Sequence, residues 1–124
     1  MGLYFYPSLL LAGGVGAILR FWLGKGADSL NLTALPFGTL AANGMGCFLI
    51  GYLAAQFVSR WSVSGDMQTV LLTGFLGGFT TFSAFSLETV VMLQNGDTLR
   101  AMLYVSVSLV LSISLCFCGI WFAK

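Results

Sequence analysis

Gly74-Phe-Leu-Gly-Gly-Phe-Thr-Thr-Phe-Ser-Ala-Phe-Ser-Leu-Glu88 is the stretch on which the fold turns. It is too apolar for a soluble loop and too rich in glycine and hydroxyls for a plain membrane anchor. Its three glycines weaken helix propensity and Thr80 and Thr81 add β-branching, so a helix through this stretch is expected to break in its middle. A break frees backbone carbonyls, which a bilayer tolerates only where they are buried in protein, line water or meet an ion. The segment therefore reads as a membrane span built around a polar task, the binding or movement of something small.

The chain around it has the composition of an integral membrane protein. Hydrophobic residues make up 58% of the 124 and charged residues 7%, with a mean hydropathy of +0.96, far from the values of a soluble domain. Polar punctuation at 25–35, 59–68 and 94–98 predicts four spans, near 3–24, 36–58, 69–93 and 99–122. At about 1.5 Å per residue, each is long enough to cross a hydrocarbon core of about 30 Å. Together they predict an all-α protein, one four-helix transmembrane domain over 1–124 with its third helix broken. The first apolar run lacks a small-x-small cleavage site and is expected to stay in the mature chain. Pro36 suits the first turn of the second helix, and Asn95-Gly96 supplies a tight turn before the fourth. Without histidine and with only four acidic residues, the chain has little material for a hydrolytic triad, a zinc site or a histidine proton relay, so no enzyme is expected. Cys47, Cys116 and Cys118 all lie in apolar segments and read as small packing residues.

Orientation in a membrane follows the Lys/Arg count on each side, and here the counts nearly cancel. Arg60 and Lys124 fall on the side of the N-terminus and second loop, Lys25 and Arg100 on the other. A chain without bias inserts both ways, and the two orientations can pair as an antiparallel dimer; a single charge or an assembly partner could equally fix one orientation. Four helices are also few for a conduction path within one chain. Small residues recur four apart at Ala12/Gly16, Gly13/Ala17 and Ala42/Gly46, with a stripe at Thr39, Asn43, Cys47 and Gly51, as close helix packing in membranes requires. That pattern fits packing within one chain as well as between two.

Several polar groups are placed inside the spans. Arg20 lies one turn from the end of the first, either snorkelling to the interface or setting a positive potential at the mouth of an anion pathway. Glu88 lies deeper and is a functional carboxylate or a helper that orients neighbouring donors. Asn43 and Thr39 share a face of the second helix, where the amide serves as donor or as glue between helices. Tyr104, Ser108 and Ser112 span only about 80° of the fourth helix at 3.6 residues per turn, a hydroxyl track. Phe79, Phe82 and Phe85 form a ridge if that part of the span is helical. Ser83 and Ser86 are interleaved with the rings, whose positive edges can face an anion. Donors dominate and fixed cations are scarce, a lining suited to a small anion that must lose its water.

Three segments together resemble the small fluoride channels of the Fluc (CrcB) family. Gly13-Gly14-Val15-Gly16-Ala17-Ile18-Leu19-Arg20-Phe21 is similar to its first-helix signature, Gly38-Thr39-Leu40 leading to Asn43, Gly46, Phe48 and Gly51 to the second, and Gly74 through Glu88 to the third. The resemblance implies a dual-topology antiparallel homodimer in the lipid bilayer of a microbial plasma (inner) membrane. It implies two pores that pass fluoride out passively and limit its cytoplasmic accumulation, with no nucleic acid among the partners. It puts Phe82 and Phe85, with Ser83, along the path beside Asn43, Thr39 and Glu88, the track Tyr104, Ser108 and Ser112, and Arg20 at the vestibule. It also implies a structural sodium ion on the two-fold axis, held by the backbone carbonyls of Gly77 and Thr80, which agrees with a break there, since carbonyl oxygens suit a hard cation. Ala84 stands where the family commonly has a hydroxyl residue, and Cys47 where it commonly has serine. A proton-coupled exporter of the small multidrug type should carry a first-helix carboxylate, where this chain has Arg20. A membrane subunit that merely packs against a partner would not need a donor track beside broken backbone.

Overall fold

In the computed structural model, which describes residues 1–30 and 35–124, the chain is helical along nearly all of that length. Helix α1 is Phe5–Leu30 and α2 is Phe37–Ser59. The third span begins as α3 (65–79), made of Gly65–Thr69, a π-helical stretch Val70–Leu76 and a last turn Gly77–Phe79, and continues after a break as α4, Phe82–Gln94. Helix α5 is Thr98–Phe122. Among the described residues, four helical stretches, counting α3 and α4 as one, are long and apolar enough to cross a membrane. The expected all-α architecture and the broken third helix are both observed.

Helix α1 runs on to Leu30, past the polar residues Lys25 and Asp28 at which the sequence predicts its span to have ended. A span is set by what lipid accepts, whereas a helix continues into water as long as no breaker stops it. The first loop predicted at 25–35 falls partly on residues outside the described ones. Pro36, expected in the first turn of α2, stands one residue earlier, at the N-cap position, without a side-chain cap bond. Ser64 caps α3, accepting from the Met67 N–H, which starts the third helix four residues before the predicted span. Gly96 has φ +82°, the left-handed conformation that lets the Gly96 and Asp97 N–H groups close on the Leu93 and Met92 carbonyls at the end of α4.

Glycine decides how the helices meet. A Cβ at Gly16 would fall on the Phe75 carbonyl and one at Gly78 on the Gly13 carbonyl, so α1 and α3 approach backbone to backbone. On the other flank α2 lies against α5, where a Cβ at Gly51 would fall on the Cys116 carbonyl and one at Gly119 on the Phe48 carbonyl. The small-residue pattern is thus used within the protomer, as packing in membranes uses it. Helix α4 rests on α5 through Phe85, Met92, Ala101 and Tyr104, a buried cluster joined by Leu35, Leu40 and Val105. Most of the outward surface is apolar, with Leu10, Leu11, Val58, Leu99, Val110 and Phe117 exposed, the face a bilayer requires. Arg60 and Lys124 meet at one end of the bundle; Pro36, Asp97 and Arg100 share the other.

Candidate functional site

The break is made by two consecutive extended residues, Thr80 (φ −88°, ψ 159°) and Thr81 (φ −151°, ψ 117°). Gly77 itself keeps ordinary helical angles, so the β-branched threonines, favoured in extended backbone, are where the chain opens. The Thr81 N–H, which in a continuous helix would reach the Gly77 carbonyl, instead donates to Asn43 Oδ1 at 2.7 Å. Asn43 Nδ2 in turn donates to the Thr81 carbonyl at 3.0 Å. This pairing fixes the amide orientation, because a flipped amide would set oxygen against oxygen. Arg20 Nε donates to the Gly78 carbonyl at 3.2 Å. Side chains of α1 and α2 therefore hold the two sides of the break.

Beyond it α4 restarts with its own cap. Thr81 Oγ1 accepts from the Ala84 N–H at 3.1 Å and lies 3.3 Å from Ser83 Oγ. Capping satisfies one of the orphan N–H groups of a first turn, and the partial positive charge of that turn stays at mid-span. Thr80 Oγ1 is spent on the Leu76 carbonyl at 2.9 Å, which leaves the Thr80 carbonyl, not its hydroxyl, as the group to present.

A cavity of about 310 Å³ opens beside the break. Asn43, Phe82, Phe85, Ser108 and Ser112 line it, together with Gly77 and Thr80. The Phe82 and Phe85 ring centroids are 5.5 Å apart. Phe82 is 75% exposed whereas Phe85 is 9% exposed, packed on Tyr104 at 5.2 Å. Ser108 borders the cavity, and its Oγ is buried with no hydrogen-bond partner. The ridge of three rings does not form: the break turns Phe79 away, and it stacks on Phe75 at 6.2 Å.

A second group lies apart from the cavity lining. Glu88 Oε1 accepts from Thr39 Oγ1 at 2.7 Å and Oε2 from the Tyr104 hydroxyl at 2.6 Å, tying α2, α4 and α5 through one carboxylate. Tyr104, wholly buried, is thereby set apart from Ser108 and Ser112, with which it shares a helix face. Arg20 borders a third concavity with Phe21, Lys25, Asp28, Thr39 and Thr81, and Lys25 Nζ stands 5.6 Å from the Phe21 ring centroid. Ser83 is exposed and outside the cavity lining. The residues predicted as one site thus divide between a cavity, a carboxylate knot and a concavity beside Arg20.

The sequence signature of the family described as "CrcB-like protein, Camphor Resistance (CrcB)" matches residues 8–120. The chain belongs to the CrcB family. A relative from Rhizobium etli (strain CIAT 652) is 41% identical over 110 residues, covering 89% of this chain and 88% of its own. One from Allorhizobium ampelinum is 41% identical over 110 residues, with 89% and 88% covered. One from Acidithiobacillus ferrooxidans (strain ATCC 53993) is 42% identical over 109 residues, with 85% and 87% covered. Each of the three is named fluoride-specific ion channel FluC. Membership of the CrcB family and the four apolar helices make this a multi-pass integral membrane protein.

The sequence reading of this CrcB protein used Thr81 only as a helix breaker and passed over Gln56. Thr81 supplies a cap and both clamped backbone groups; its signal was a threonine three residues before Ala84, in a capping position once a break is allowed. Gln56 is 5% exposed and its Nε2 donates to the Ala123 carbonyl at 3.2 Å, closing the end of α5. A lone amide within an apolar run was its signal.

Proposed function

We propose that this chain is a fluoride channel, not an enzyme, working as an antiparallel dual-topology homodimer with two pores. The observation that carries the reading is the cavity at the break. It joins two phenylalanine rings, an asparagine amide, an unpartnered buried hydroxyl and the start of a helix. Such a lining replaces part of an anion's hydration shell with donors and ring edges while offering no full charge to trap it. The identity of the ion comes from the relatives' name. Phe82, Phe85, Asn43, Ser108 and Ser112 line the proposed path, Arg20 sets the potential at its mouth, and the Glu88 carboxylate orients Thr39 and Tyr104. Flow is passive and outward, which limits fluoride in the cytoplasm of a microbial cell.

The exposed Phe82 ring and the open side of the cavity support completion of each path by a second copy. The break also fits a structural sodium ion at the dimer axis. Gly77 and Thr80 border the same open space, and a Cβ at Gly77 would meet nothing nearer than the Leu72 carbonyl at 3.9 Å. The Thr80 carbonyl is free of its own hydroxyl's competition, because that hydroxyl binds Leu76. The Gly77 and Thr80 carbonyls of two copies would hold the ion as four hard oxygen ligands. The test is fluoride efflux from liposomes holding the purified protein, with chloride and an imposed proton gradient as controls. Efflux of fluoride but not chloride, independent of the proton gradient, is expected; proton-coupled efflux or none would overturn the reading.

A further inference from the structure

Arg20 stands at the end of the α1 face that meets α3. Gly13, Gly16 and Arg20 share one side of that helix, and the glycines bring the two backbones together. A Cβ at Gly16 would fall on the Phe75 carbonyl, and one at Gly78 on the Gly13 carbonyl. This approach carries the Arg20 side chain to the last turn of α3, where its Nε donates to the Gly78 carbonyl at 3.2 Å. In an unbroken helix that carbonyl would accept from the Phe82 N–H. With Thr80 and Thr81 extended, the guanidinium takes the place of the lost partner. The last carbonyls of a helix also form its negative end, which favours a cation. Among the described residues the Gly78 carbonyl is the only hydrogen-bond or ion-pair partner of the guanidinium. Gly78 faces α1 while its neighbour Gly77 borders the cavity, so the bond fixes the peptide next to the one on the cavity wall.

We infer that Arg20 is a positioning residue for the proposed fluoride path: its Nε–H group holds the last turn of α3 in place at the break, a task separate from the potential its charge sets at the mouth. The two tasks need different parts of the side chain. Positioning needs a donor where Nε stands; the potential needs only a positive charge. Glutamine carries an amide N–H at that same place along the side chain, and no charge. Lysine has a methylene there, with its charge one bond further on. Salt separates the tasks as well, because it cuts the reach of an exposed charge to about 3 Å in about 1 M solution and screens a part-buried contact much less.

The efflux measurement rests on the channel reading above; the stability measurement does not. Arg20→Gln, Arg20→Lys and Arg20→Met are unfolded by denaturant in detergent, and their fluoride efflux is measured from liposomes in concentrated potassium gluconate, where the potential is screened. Rates are taken per folded protein recovered by size exclusion, so that lost protein is not read as a lost path. Arg20→Gln is expected within about twofold of the parent, and Arg20→Lys and Arg20→Met about tenfold slower or more, as loss of a bond between a charged donor and a carbonyl implies. Unfolding midpoints should fall in the same order, with Arg20→Gln nearest the parent. A parent without fluoride efflux would sink the channel reading and leave the order of midpoints standing. Arg20→Lys as fast and as stable as the parent, or Arg20→Gln no better than Arg20→Met, would overturn the inference.

Discussion

Asn43 grips both backbone groups of one residue, so changing it tests the shape of the break before it tests any ion. In Asn43→Asp an oxygen replaces the amide nitrogen that faces the Thr81 carbonyl, and a part-buried acceptor loses its donor. We expect a stability loss of about 1–3 kcal/mol on denaturant unfolding in detergent, together with loss of fluoride efflux. An Asp variant as stable as the parent would show that the clamp is not needed. The two rings separate in a similar way. Phe82→Ile changes an exposed side chain and should slow efflux with little effect on stability. Phe85→Ile also removes the packing of a ring on Tyr104, an aromatic contact worth about 0.5–1.5 kcal/mol, so both measurements should fall. At this scale the sequence showed which residues are polar or aromatic and which share a face, because helical periodicity is local. It did not show where Tyr104 spends its hydroxyl. That depends on Glu88 of another helix arriving 2.6 Å away, and no spacing along the chain carries such information.

The elements are held by close backbone approach, and glycines on one helix distinguish a contact from open space. Gly16 faces α3, where a Cβ would meet the Phe79 nitrogen at 2.8 Å as well as the Phe75 carbonyl, whereas Gly14 has nothing within 4 Å. Gly16→Ala should destabilise by about 1–3 kcal/mol, since neither helix backbone can yield without moving the break. Gly14→Ala should be neutral or gain up to about 1 kcal/mol from helix propensity. Unfolding curves that coincide for the two would refute the crossing. The break itself was legible as a cluster of weak helix formers, but its position was not. Glycine permits irregular backbone, yet Gly77 stays helical, and the opening falls where Asn43 competes for the Thr81 N–H. Thr80→Val probes what the break offers. It keeps the branched shape and the carbonyl and deletes only a hydroxyl already bound to Leu76. Efflux should persist, and a large loss would mean that the hydroxyl, not the backbone, does the work.

For the whole molecule the informative quantity is the balance of charge between its two ends. Four spans were legible because a hydrocarbon core demands long apolar runs, a constraint every stretch of such a chain must meet on its own. Assembly was less so, because small residues that could have joined two copies are used within the chain: Gly16 and Gly78 between α1 and α3, Gly51 and Gly119 between α2 and α5, and Gly46 against Thr80. What remains open to a partner is the cavity side, with Phe82 projecting from it. Arg60 and Lys124 gather at one end, against Lys25 and Arg100 toward the other, so insertion has little to bias it. Two lysines added beside Arg60 should drive nearly all copies into one orientation, and two beside Lys25 into the opposite one. If each path needs two antiparallel copies, either variant alone should lose efflux, and co-expression of the two should restore it. Labelling of an introduced cysteine near the C-terminus with an impermeant reagent confirms that each variant has a single orientation. Full efflux from one uniformly oriented variant would exclude the antiparallel dimer, because no copy of opposite orientation would be present to complete the cavity.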